Sequence, residues 1–351
     1  MTSFIYRGPL PPDSPLFRGR ETELKRLLRL CRGELQAYAI VYGGRQTGKT
    51  SLVLRLAAHL PPGTVACRVD FQETPGIAPA QVYAHLARRV GEAVALDTGH
   101  VNEAERAMLL GVAEMVADAP ALIGFLCQAL NRPWIQRLVL LLEELGGLSL
   151  ATRHDLANVL RALFSGRFDP ARRPLAKMLI VLTGSVELYE LAATEVSTLH
   201  NICEAFYLDD LSKRDAVRLV AEGLAEAGTP GDAAETLGQE IYAWTHGHPY
   251  LTQHLGSLLA DQCIDSGGLP PDCVIASVEH LLRGDALLRH LRRALTGQDL
   301  CETARLLLDE RPRFSRLDED LARLELLGLA AERDGCWAVR NRVFEQAMRE
   351  W

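Results

Sequence analysis

The segment Gly43-Gly44-Arg45-Gln46-Thr47-Gly48-Lys49-Thr50-Ser51 constrains this chain more than any other stretch. From Gly43 to Thr50 it fits the spacing G-x-x-x-x-G-K-[ST]. Residues 37–42 are apolar and read as a buried strand leading in. Residues 51–60 read as a helix leading out, with Leu52, Leu54, Leu56 and Leu60 on it. Glycines let consecutive backbone N–H groups curl around a phosphate chain, and the helix N-terminus adds its partial positive charge. Lys49 is placed to reach the β- and γ-phosphates, and the Thr50 hydroxyl to ligate Mg²⁺. Lysine is scarce here: Lys25, Lys49, Lys177 and Lys213 are the only four among 38 basic residues. The expectation is a loop that binds an adenine nucleotide, ATP or ADP, with Mg²⁺.

Composition narrows the class. At 351 residues the chain has length for two or three domains with real cores. A hydrophobic share of 48% and a charged share of 24% are those of an ordinary globular protein. The net charge of −7 speaks against nucleic acid as the principal partner without excluding it. Eight cysteines lie scattered with no C-x-x-C pair, which reads as free thiols in a reducing compartment and not as a zinc site. No signal-peptide pattern and no membrane-length apolar run appear, so the expected location is the cytoplasm, with no membrane partner.

Along the chain, residues 1–15 form an extended lead-in in which Pro9, Pro11, Pro12 and Pro15 block helix. An amphipathic helix follows over 21–31, then a strand over 65–71 ending near Asp70, then helices over 79–96, 102–117 and 120–130. Leu138 to Leu142 is a run of five aliphatics followed by Glu143 and Glu144, the pattern of a buried parallel strand with carboxylates at its C-terminal edge. There Glu143 is the candidate Mg²⁺ carboxylate, one methylene longer than the usual Asp, and Glu144 the candidate base for the attacking water. A helix over 152–164 precedes a second buried strand over 177–182, which ends in Thr183-Gly184-Ser185. The alternation predicts an α/β sheet with right-handed crossovers and the glycine loop at a strand's carboxyl edge. From Ser212, a predicted helix N-cap, to Gly267 the chain reads as all helix. Helices over 272–296, 300–308 and 315–327, a hairpin turning at Asp334-Gly335, and a last helix through Phe344 and Met348 have the order of a winged helix-turn-helix. Its candidate recognition helix carries Asp318, Glu319, Asp320 and Glu325 against Arg316 and Arg323, the wrong sign for a phosphate-lined groove.

These motifs carry a resemblance. Phe17-Arg18-Gly19-Arg20-Glu21 ahead of the glycine loop resembles the N-terminal box of AAA+ ATPases and their STAND relatives. It implies that Phe17, Arg18 and Gly19 lie on the base side of the nucleotide. By the same resemblance Thr183, then Ser185, falls at the sensor 1 position, and Arg161 and Arg167 in the region of a trans-acting finger, where a solvated helix face is the simpler expectation. Gly247-His248-Pro249 resembles the GxP motif of the STAND lid, implying that Pro249 packs on adenine. Over nearly its whole length the chain is similar to bacterial AAA-like domain proteins of the STAND/AAA+ group. The implied fold is an α/β P-loop NTPase domain over 1–206, a helical lid over 207–267 and a C-terminal winged-helix domain over 268–351. The implied function is a regulatory ATPase switch coupling nucleotide state to domain rearrangement and protein–protein assembly. Its effector would be a separate protein, and a nucleotide-dependent homo-oligomer is compatible. Two alternatives stand beside it: a DNA-associated AAA+ ATPase, initiator-like or transposition-regulator-like, and a non-hydrolysing nucleotide-binding scaffold.

Overall fold

Five parallel strands form the central sheet of the computed structural model, which describes residues 4–33, 37–96, 99–193, 199, 201–266 and 268–351. Gly267, the expected end of the lid, and the first three residues of the lead-in lie outside the described residues. In chain order come α1 (Glu21–Cys31), β1 (Tyr38–Tyr42), α2 (Lys49–Ala58), β2 (Thr64–Asp70), α3 (Pro79–Ala95), α4 (Glu103–Glu114), α5 (Ala119–Leu130), β3 (Arg137–Glu143), α6 (Leu150–Gly166), β4 (Met178–Gly184), α7 (Val186–Ala193) and β5 (Cys203–Tyr207). Helices α8 (Lys213–Glu226), α9 (Gly231–Thr245), α10 (Pro249–Ser266), α11 (Cys273–Gly284), α12 (Ala286–Gly297), α13 (Cys301–Asp309) and α14 (Glu319–Leu327) follow. The hairpin β6 (Ala330–Arg333)–β7 (Cys336–Val339) and α15 (Arg342–Glu350) come last.

The chain divides into two compact units. One, Thr22–Tyr42 with Val53–Tyr207, holds the sheet, in strand order β2-β3-β4-β1-β5. Its core is aliphatic: Leu138 to Leu142 and Leu179 to Leu182 are all buried, as the unbroken apolar runs require of strands covered on both faces. Register puts Glu143 beside Thr183, and Thr183 beside Val41, so the carboxyl ends of β3, β4 and β1 share one edge. The helices between β2 and β3 have local start signals. Asn102 accepts from the Glu105 N–H while Glu105 reaches back to the Asn102 N–H, a capping box for α4, and Asp118 caps α5.

The other unit joins Met1–Glu21, Gly43–Leu52 and Leu208–Trp351. Ser212 caps α8 as expected. The helix expected without interruption over 272–296 is two helices, because Asp285 leaves the helical conformation to accept the first N–H groups of α12 and the Tyr250 hydroxyl. The segment expected to be helical from Ser315 starts instead at Glu319, with Asp318 accepting from the Leu321 N–H. Asp334 and Gly335 have φ of 54° and 77°, the left-handed pair that closes a two-residue hairpin turn. Trp337, fully buried, packs against Phe314 with ring centroids 4.4 Å apart and planes tilted by 51°, and anchors this end of the unit.

Candidate functional site

The glycine loop closes on itself before α2. Gln46 and Gly48 take left-handed backbone, at φ 60° and 91°. The Thr47 hydroxyl donates to the Gly44 carbonyl at 2.8 Å, and the Lys49 ammonium donates to the carbonyls of Gly43 and Gly44 at 2.9 and 2.8 Å. A side chain on Gly43 or Gly44 would collide with the loop's surroundings, whereas the space beside Gly48 is open. That arrangement fits a phosphate chain: the space beside Gly48 is open, and a lysine charge is held across the turn. Helix α2 begins at Lys49, two residues earlier than the apolar pattern indicates, so Lys49, Thr50 and Ser51 make up its first turn.

The N-terminal lead-in and the α9–α10 junction belong to the same unit as this loop. Arg20 is buried and donates to the carbonyls of Thr47 (3.2 Å) and Asp209 (2.6 Å), tying the lead-in to the loop. Ser51 Oγ accepts from the Leu10 N–H at 3.0 Å. Gly19 takes φ 65° against Leu211 and Asp215, Arg18 pairs with Glu222, and Phe17 is half-buried. Further back, Phe4 is wedged between Gly223 and Gly256, where an added Cβ would come within 2.3 and 2.6 Å of its ring. Between α9 and α10, His246 ends α9 in left-handed backbone and Gly247 follows at φ 84°. A Cβ on Gly247 would lie 2.1 Å from the Leu211 carbonyl oxygen, so only glycine fits there. Pro249 is the first residue of α10 and half-buried.

The C-terminal segment reaches this loop. A Cβ on Gly44 would lie 2.6 Å from Cα of Gly328, a backbone-to-backbone approach between the glycine loop and the turn that ends α14. Nearby, Arg340 makes a two-pronged pair with Asp210 at 2.8 and 2.9 Å, both groups nearly buried. The next two residues extend this anchoring: Asn341 caps α15, and the Arg342 guanidinium lies over the Trp244 ring at 4.4 Å. His248 directly precedes α10 and its Nδ1 accepts from the Leu251 N–H at 3.5 Å, so it caps that helix while only 1% exposed, with Phe344 edge-on at 5.3 Å.

Burial pushes the His248 imidazole down from 6.5 to about 3; the Arg340 charge adds to this and Asp210 opposes it. A base whose folded pKa is lowered takes its proton first in the unfolded chain. Stability is therefore complete above pH 6.5 and falls between that pH and about 3. The slope is about 1.4 kcal/mol per pH unit, or about 2 kcal/mol from pH 6.5 to 5. Urea midpoints at pH 7 and pH 5 should show this loss in the wild type and little of it in His248→Asn; equal losses would remove His248 as the cause.

In the sheet unit, Glu143 is 1% exposed and accepts from Arg68, which also pairs with Asp70 at 3.0 Å. Glu144 sits in left-handed backbone (φ 57°) and accepts from the Gln72 amide at 3.1 Å. Thr183 is buried, level with Glu143. The Ser185 hydroxyl donates to Glu187 at 2.7 Å. Arg167, expected on a solvated face, is buried instead, its guanidinium over Phe164 at 4.1 Å and Tyr38 at 5.0 Å. It is a packing residue. Arg20 and Arg68 were not singled out in the sequence. The signals were an arginine next to the Phe-x-Gly turn and one two residues before a strand-end acid. Among the described residues no cluster of three or more His, Cys, Asp or Glu forms a metal cage, and no helix is long and apolar enough to cross a membrane.

A parallel sheet in this order, with a glycine loop after β1 and carboxylates after β3, is the fold of an AAA+-like P-loop ATPase. A sequence profile described as an ATPase domain predominantly from Archaea matches residues 17–255, and the chain belongs to that family. The Walker-type ATPase of Pyrococcus abyssi is similar in structure, with a TM-score of 0.68 at 16% identity, over 99% of each chain. The ORC2 protein of Aeropyrum pernix in its ADPNP–ADP complexes (TM-score 0.55) and Cdc6p of Pyrobaculum aerophilum (0.51) are also similar, each at 15% identity over 98% of this chain and 97% of the other. At such identities the likeness is one of fold. An uncharacterized WD repeat-containing protein of Synechocystis is 26% identical over 305 residues, 82% of this chain; the match spans 24% of that protein. The family and fold are those of nucleotide-binding ATPases, and they lend no support to the expectation set against nucleic acid.

Proposed function

We propose that the chain is an ATP-binding regulatory switch of the STAND/AAA+ kind, whose nucleotide state drives domain rearrangement and protein–protein assembly. Residues 1–206 act as the nucleotide domain, 207–267 as the lid and 268–351 as a winged-helix domain. The observation that carries this reading is the backbone approach of Gly328 to Gly44. A phosphate loop touched by the C-terminal segment cannot change its occupancy or shape without that segment feeling it. In this reading Gly43 to Thr50 would hold the phosphates, and Thr50 and Glu143 are the residues that would ligate Mg²⁺. Phe17 to Gly19 and Pro249 flank the base. Bound Mg²⁺ supplies charge neutralisation to the phosphates. Thr183 positions water and Glu144 takes its proton. The Synechocystis relative, which carries a like stretch beside WD repeats, supports an output made of protein contacts.

The Arg68–Glu143 pair favours slow turnover, since the carboxylate must share its charge with a guanidinium already bound to it. A phosphate-release assay separates the switch from a non-hydrolysing scaffold. Glu144→Gln is expected to lower the rate about 10²-fold with ATP affinity retained, the usual scale for a general base. Size measurements on the wild type should show an ATP-dependent shift. If wild type and variant are equally silent while ATP binds, the scaffold reading replaces hydrolysis; one unchanged monomeric species with and without ATP would sink assembly.

A further inference from the structure

Helix α12, Ala-Leu-Leu-Arg-His-Leu-Arg-Arg-Ala-Leu-Thr-Gly from Ala286 to Gly297, contains no acidic residue in a chain of net charge −7. Its apolar residues Leu287, Leu288, Leu291 and Leu295 are buried, which turns Arg289, His290, Arg292 and Arg293 outward together, all four exposed. Arg289, Arg292 and Arg293 are neighbours at three- and four-residue spacing, so their guanidinium groups form one patch. None of the three enters an ion pair among the described residues, unlike Arg218, Arg283 and Arg349, which each hold a glutamate on their own helix. Asp285, the acid that starts α12, is occupied by the Tyr250 hydroxyl and the first amides of the helix. Arg45, exposed on the glycine loop, and Arg293 both act on His290, so the positive field continues from α12 to that loop.

Uncompensated like charges on one helix face are unfavourable until an anion lies across them. The rest of the face is Ala286, Thr296 and Gly297, with no aromatic or large aliphatic group. A protein partner of any affinity needs such an anchor at the centre of its footprint. A phosphate backbone needs none, because guanidinium forks take phosphate oxygens two at a time and the released counterions supply the affinity.

We propose that the outer face of α12, through Arg289, Arg292 and Arg293, is a nucleic-acid backbone-binding surface, read by charge and not by base sequence. The acidic candidate recognition helix α14 is then not the surface that meets nucleic acid. Fluorescence anisotropy with a labelled 30-base-pair duplex, and with its single strand, across a salt series tests this. Wild type is expected to bind with log affinity falling linearly against log salt. The triple variant Arg289→Ala/Arg292→Ala/Arg293→Ala should bind duplex at least about tenfold more weakly at low salt, with its slope reduced by about 2.7 if each arginine neutralises one phosphate. The triple Arg→Lys variant, which keeps the charge, should retain most of the binding, and unchanged thermal unfolding would exclude a folding defect. No binding of either strand form by wild type at low salt, or equal binding and slope for the alanine variant, overturns the proposal. So does retention of poly-glutamate in place of both nucleic acids, which would mark the face as a dock for acidic polypeptide.

Discussion

Lys49→Ala is expected to weaken binding of a fluorescent ATP analogue about 10²-fold or more. The ammonium lies at the head of α2, bonded to the carbonyls of Gly43 and Gly44, within the turn that the phosphates would enter. A charge-assisted contact to phosphate in a partly dry site is worth about 3 kcal/mol, and each 1.4 kcal/mol is tenfold. Lys49 is only half-buried, so the substitution should change the urea midpoint little. Lys213→Ala, at an exposed site at the start of α8, is the matched control and should bind as wild type does. An unaltered affinity in Lys49→Ala would mean that the glycine loop is not the nucleotide site, whatever its spacing.

The second large effect is structural. Arg340→Ala leaves the Asp210 carboxylate buried without its guanidinium, and breaking such a pair from one side costs about 3–5 kcal/mol. Replacing both, as Arg340→Met with Asp210→Ala, removes the stranded charge and should recover at least half of the loss in denaturant unfolding. A cost below about 1 kcal/mol for the single variant would show that water reaches the carboxylate and that the pair does not organise this end of the unit. The acid behaviour has a definite sign. Burial alone would raise the Asp210 carboxyl, but the charge and hydrogen bonds of Arg340 outweigh it and hold it below its ordinary 3.8. The pair's contribution is therefore present above pH 3.8 and is lost as pH falls through the lower folded value. That window lies below most of the His248 one, so the two can be separated by titration.

Local chemistry carried much of this molecule in plain sight. The glycine loop, the aliphatic runs of β3 and β4, the Ser212 cap and the Asp334-Gly335 turn each follow from neighbours in sequence, and each appears as expected. The misreadings share a cause as well. Asp285 breaks a helix because Tyr250, 35 positions away, donates to it. Arg167 is buried because two aromatic rings offer their faces to its guanidinium. Glu143 is tied to Arg68 across 75 positions, and Arg340 to Asp210 across 130. Arginine is so abundant here that no single one announces its partner; only the fold selects which of them turn inward. The burial of His248 has the same origin, since it depends on Phe344 arriving from the last helix.

Phe4 belongs to this long-range class and has a consequence for synthesis. Its ring occupies a notch that exists only because Gly223 and Gly256 lack side chains. Those glycines leave the ribosome roughly 220 and 250 residues after it, which at about 5–20 residues per second is a wait of roughly 10–50 s. During that interval the strap through Leu10 and Arg20 has no groove to lie in, and the glycine loop it later braces is already made. Closure of the strap is thus a late event in the life of each nascent chain, timed by the emergence of α10.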